Sequence, residues 1–138
     1  MTKSLLISIL ILTLISCKEK QKEKQVEFLD SAKVYLDYIK PIPGKNDSIP
    51  PKVSQKGEVL IAYSDCHSCH AVDKRMKGPA FKDIAKRYPV QDQYIALLAQ
   101  RVIIGGSGAW GYSVMTPHPD LKEEDVKTMV KFILSLKE

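Results

Sequence analysis

The chain has 138 residues, enough for one domain with extensions, and 44% of them are hydrophobic, an ordinary share for a globular protein. The formal net charge is +5, but from Lys52 onward 13 basic residues stand against 10 acidic ones, and Lys74, Arg75 and Lys77 form the only tight basic group there. Lysines interleaved with acids describe a solvated surface, and the lack of a dense basic stripe argues against a nucleic-acid binder.

The first sixteen residues read as an export signal: Lys3 supplies a positive start, and Leu5 to Ile15 is apolar except for Ser8 and Thr13. At about eleven residues this run is too short to cross a membrane, which takes ~20. Leu14-Ile15-Ser16-Cys17 follows. These four residues resemble the lipobox of bacterial lipoproteins, and the resemblance implies cleavage before Cys17 and acylation of its thiol. More than one acyl chain is what stable membrane anchoring requires.

Residues 18–25 are all Lys, Glu or Gln and read as a solvated linker. Over 26–40, Phe28, Ala32, Tyr35, Leu36 and Ile39 keep helical spacing, although Val34, Tyr35 and Tyr38 also suit a strand; a short helix packing on the main domain is the preferred reading. Pro41, Pro43, Gly44, Pro50 and Pro51 then break regular structure and mark a boundary. The expected organisation is a cleaved signal over 1–16, a lipidated linker over 17–51 and a domain over 52–138.

The domain reads as short helices. Val53 to Tyr63 is the first, with Gly57 lowering its propensity. Phe81 to Arg87 is the second, stopped by Pro89. Asp92 to Ile104 is the third, capped by Asp92 and ended by Gly105-Gly106. Asp120 to Leu136 is the last, with Asp120 and Glu123 as a capping pair and Val126, Met129, Val130, Ile133 and Leu134 on one stripe. No segment alternates like a sheet strand. An all-α fold this small has a marginal core unless something staples it.

Cys66-His67-Ser68-Cys69-His70 supplies a candidate staple. It is a C-x-x-C-H string, the attachment signature of c-type haem. Two thiols three residues apart on a helical turn face the same way and can each add to a vinyl group, while the next residue, His70, lies under the iron. Three other readings compete: a thioredoxin-type dithiol, which needs a preceding strand; a zinc site of Cys66, Cys69, His70 and His118; and a disulfide between the two cysteines.

From about residue 52 to the end, the chain resembles small bacterial class I cytochromes c. The motifs stand in family order: C-x-x-C-H, then Gly78-Pro79, then Gly105-Gly106-Ser107-Gly108-Ala109-Trp110-Gly111 leading to Met115-Thr116-Pro117. The resemblance implies a cytochrome c fold of four to five short helices around one covalent haem. It implies that the Pro79 carbonyl accepts a hydrogen bond from His70, that Met115 is the sixth iron ligand, and that Trp110 donates to a haem propionate. Of the other methionines, Met1 belongs to the signal, Met76 follows the motif closely and Met129 fits the last apolar stripe. Gly57 and Phe132 resemble the pair that meets where the first and last helices cross. His118 reads as a surface residue.

Two axial side chains saturate the iron, so the resemblance implies single-electron transfer with redox protein partners, with no catalysis and no small-molecule substrate. The rival readings are a gas or ligand sensor, in which Met115 dissociates, and a small haem subunit of a larger redox enzyme. The expected location is outside the cytoplasm, lipid-anchored to a bacterial membrane.

Overall fold

The computed structural model describes residues 33–137. The expected signal, Cys17, the charged linker and the start of the expected helix over 26–40 lie outside the described residues. The chain divides into two units, Met1–Leu36 and Asp37–Glu138. Helix α1 is seen over 33–39, so the first unit is represented only by its helical residues 33–36.

In the second unit the elements run α2 (Pro51–Ala62), a 3-10 turn (Cys66–Ser68), α3 (Phe81–Arg87), α4 (Asp92–Ile104), β1 (Gly106–Gly108), β2 (Gly111–Met115) and α5 (Glu123–Ser135). The helices enclose one core that includes Ile61 of α2, Phe81 and Ile84 of α3, Ile95 and Ala99 of α4, and Val126, Val130 and Leu134 of α5. Helix α5 is the hub. It packs against α2, α3 and α4 and buries six residues along its stripe.

Helices α3 and α4 have the expected bounds, because an extended Tyr88 before Pro89 and a positive-φ Gly105 end them sharply. The α2 helix begins two residues earlier than expected. Pro51 sits in its first turn, where a missing N–H costs nothing, so the second of the two prolines starts the helix rather than blocking it. The expected side-chain caps are not formed. Asp92 lies inside α4 after Gln91, and α5 starts at Glu123 after Lys122, with Glu123, Glu124 and Asp125 in its first turn. Acids there favour the helix through its dipole without a capping bond.

Gly57 faces α5 where the two helices cross. A Cβ at this position would collide with the Thr128 carbonyl oxygen and lie 2.7 Å from the Phe132 Cβ. The missing side chain is what lets the two backbones approach.

Two further features depart from expectation. Residues 106–115 form a small antiparallel hairpin, with Gly106 opposite Met115 and Gly108 opposite Gly111. Its three glycines and Gly105 before it all take positive φ, a shape that leaves no alternating pattern to read. The compact unit also starts at Asp37 rather than Lys52. Residues 37–50 form a strap laid along residues 87–90. Ile42 N–H donates to the Arg87 carbonyl (2.8 Å), Asp47 N–H donates to the Val90 carbonyl (2.9 Å), and Val90 N–H donates to Asn46 Oδ1 (2.9 Å). Ile39, within it, is buried. The prolines of this stretch suit an extended segment that pairs through a few chosen N–H groups.

Candidate functional site

Helix α2 ends at Ala62, and Ser64 turns the chain. Its hydroxyl bonds the Ile61 carbonyl at 2.7 Å and lies 2.9 Å from Cys66 Sγ. The 3-10 turn then carries Cys66 and runs into Cys69 and His70, tied by Cys69 N–H and His70 N–H, both donating to the Cys66 carbonyl (3.2 and 3.0 Å). Both thiols are free and half-buried. No group of three or more His, Cys, Asp or Glu side chains gathers as a metal cluster among the described residues, so the zinc arrangement with His118 is not assembled.

His70 is half-buried, and its Nδ1–H donates to the carbonyl of the buried Pro79 at 2.7 Å. That bond fixes the ring and leaves Nε2 as the nitrogen with a lone pair to give. Phe81, at the start of α3, stacks on the imidazole with ring centres 5.4 Å apart and an interplanar angle of 14°. Burial holds the His70 pKa below the ordinary histidine value. The bond to Pro79 works against this, and the charges of His67 and His118 add to the lowering. A neutral imidazole is the form that can bind a metal.

Gly78 packs directly on this ring. A Cβ there would collide with His70 Cε1 and lie 2.9 Å from both ring nitrogens. Its N–H donates to the Cys69 carbonyl at 2.9 Å, closing the loop from motif to proline. Gly78→Ala is therefore expected to tilt the imidazole off the Pro79 carbonyl. Its measurable signs are a change in the haem absorption of the purified protein and a melting temperature lower by several degrees. An unchanged spectrum and melt would mean that the ring has room to move.

Met115 is the last residue of β2, half-buried, at the base of the hairpin. Trp110 lies at the hairpin's turn, half-buried, 6.5 Å from the Tyr88 ring, with the Arg87 guanidinium carbon 5.2 Å from its ring centre. His118, expected at the surface, is half-buried and bonded. Its Nδ1–H donates to the Val102 carbonyl (3.3 Å), and its Nε2 lies 3.2 Å from Asp65 Oδ1. Asp65 precedes the first motif cysteine and His118 follows Met115 by three residues, so this contact joins the two loops. Sequence reasoning missed it, and nothing local to either residue announces a partner so far along the chain.

The residues present fit a covalent haem. Two half-buried thiols stand on one turn, and a ring with its Nδ1 occupied offers its other nitrogen. Gly78, lacking a side chain, packs against one side of that ring and helps to hold it.

Comparison with known proteins agrees with this chemistry. The sequence profile of the family described as Cytochrome c matches residues 54–137. Cytochrome c-551 of Pseudomonas aeruginosa is 40% identical over 80 residues, covering 58% of this chain and 76% of its own. Cytochrome c-551 of Azotobacter vinelandii is 36% identical over 83 residues, 60% of this chain and all of its own. The crystal structure of wild-type Nitrosomonas europaea cytochrome c552 superposes with a TM-score of 0.55 at 36% identity, covering 58% of this chain and 99% of that one.

Proposed function

The chain belongs to the cytochrome c family and is an electron carrier with one covalently bound haem c; on that premise we propose that Cys66 and Cys69 hold the haem, that His70 and Met115 are the iron's axial ligands, and that Cys17 carries a lipid anchoring the domain to a membrane surface outside the cytoplasm. The observation that carries this reading is the 2.7 Å bond between His70 Nδ1 and the Pro79 carbonyl. It orients the ring, sets its tautomer and raises the basicity of the free nitrogen, as expected of a metal-ligating histidine. When bound, the haem supplies an iron that alternates between two oxidation states, and a thioether ligand favours the reduced one. The polypeptide's work is positional. Its turn presents two thiols to one side, Pro79 and Phe81 hold the imidazole, and the hairpin carries Met115 and Trp110.

Support for the anchor is the sequence from Leu14 to Cys17 behind a short apolar run. No helix among the described residues is long and apolar enough to cross a membrane. The partners in this reading are redox proteins that meet the domain briefly over a small interface. The domain begins at the strap, and residues 17–36 join it to the lipid.

The test is the absorption spectrum of purified protein, oxidised, reduced, and reduced under carbon monoxide. A methionine-to-iron charge-transfer band and indifference to carbon monoxide are expected. Ready carbon monoxide binding would overturn the His/Met assignment and favour a ligand sensor. In the same preparation, replacing Cys66 and Cys69 together with Ala should leave no haem on the chain after a denaturing gel, and retained haem would refute their role.

A further inference from the structure

The family match begins at residue 54, so the strap over 37–50 lies outside it, yet the strap is bonded to the end of α3 and the residues that follow it. Its contacts converge on one residue. Arg87, the last of α3, accepts the Ile42 N–H at its backbone carbonyl (2.8 Å), and its own guanidinium Nη1 donates to the Tyr38 carbonyl. That guanidinium lies 5.6 Å from the centre of the Tyr88 ring and 5.2 Å from that of Trp110. Its Nε is buried without a hydrogen-bond partner among the described residues, so the group is held by ring faces and by the strap. The strap also runs close to the hairpin. A Cβ placed on Gly111 would lie 3.7 Å from the Tyr38 ring, so the two are neighbours.

We propose that the strap is a positioning element for the Met115 hairpin, with Arg87 as the residue through which it acts: the Tyr38 carbonyl holds the Arg87 guanidinium over Trp110, and Trp110 and Gly111 hold the hairpin that carries Met115. The physical case is one of restraint. The hairpin has three- and five-residue strands and four positive-φ glycines in or next to it, too little to be rigid by itself. A cation stacked on a partly desolvated indole is a restraint of useful strength. The far end of the strap is fixed as well, because Lys137 Nζ, just beyond α5, bonds Asn46 Oδ1 at 3.1 Å and the Tyr88 carbonyl at 3.3 Å. Releasing the strap therefore raises the population of states in which the methionine is off the iron. An added ligand reports that population directly, since its apparent affinity scales with the competent fraction.

The inference rests on Met115 being an axial ligand, and the experiment separates the two claims. Imidazole is titrated into the oxidised, haem-loaded full-length protein, alongside the charge-transfer band, the haem content and the melting temperature. The panel is wild type, Arg87→Gln, Arg87→Lys, Ile42→Pro and Met115→Ala. Ile42→Pro removes the strap's N–H to Arg87 between two existing prolines and touches no proposed haem residue. About tenfold tighter imidazole binding and a weakened band are expected for Arg87→Gln and Ile42→Pro. Arg87→Lys, which keeps a cation over the ring, should stay near wild type. Lower melting temperatures with imidazole affinity within twofold of wild type would overturn the proposal and leave the strap a brace of the fold alone. Wild type binding imidazole as tightly as Met115→Ala would overturn both claims, since no methionine ligand would exist to hold.

Discussion

Met115→Ala should convert a closed iron site into an open one. The expected result is a reduced protein that binds carbon monoxide readily where wild type does not, together with loss of the methionine charge-transfer band. The reduction potential should fall by about 0.2 V, a fraction of the roughly 0.8 V over which axial ligands tune haem iron. The direction follows from chemistry, because a soft thioether stabilises the ferrous state and the water or hydroxide that replaces it does not. The fold should survive, since Met115 is half-buried at the hairpin base and outside the main core. A variant with wild-type potential that still excludes carbon monoxide would show that another group, or none, completes the coordination.

Gly57→Ala should destabilise this domain sharply, although it adds only one methyl group. In an open helix the change would be favourable by about 1 kcal/mol. Here the new carbon meets the Thr128 carbonyl and the Phe132 Cβ, backbone and stem of the opposing helix, and neither can swing aside. Overpacking of this kind costs typically 1–3 kcal/mol, and more where backbone must move. A net loss of about 2 kcal/mol is expected, which lowers the melting temperature of a domain this size by roughly 10 °C. Gly57→Val should cost more again. A melting temperature equal to or above wild type would mean that the crossing has slack the distances do not suggest.

The parts of this protein legible in the sequence are those governed by local rules. Helices α3 and α4 are bounded by Pro89 and Gly105, residues whose backbone chemistry acts within a turn. The cysteine motif and Gly78-Pro79 carry their spacing in the chain, and the His70–Pro79 bond joins residues only nine apart. What was not legible depends on distant partners. The strap reads as a proline-rich break because its bonding groups are mostly backbone N–H and carbonyl, which leave no mark in side-chain pattern. The hairpin is invisible because glycines at positive φ carry no hydrophobic period. His118 reads as a surface residue because its neighbour Asp65 comes from the opposite side of the attachment motif. Asp120 with Glu123 reads as a capping pair, yet the chain takes three more residues to enter α5, whose acidic first turn needs no capping bond.

The crossing of α2 with α5 also sets an order of assembly. The attachment cysteines follow α2 within a few residues, but the buried face of α2, Gly57 and Ile61, packs largely against the last helix of the chain. Until residues near Thr128 and Phe132 are present, α2 has no surface to bury itself on, and closing so long a loop is slow compared with forming the helices themselves. A chain emerging amino-terminus first therefore exposes both thiols on an unfolded segment before the domain can close. In the reading proposed above, that interval is when both cysteines are open to haem attachment, and the docking of α5 closes the domain around them.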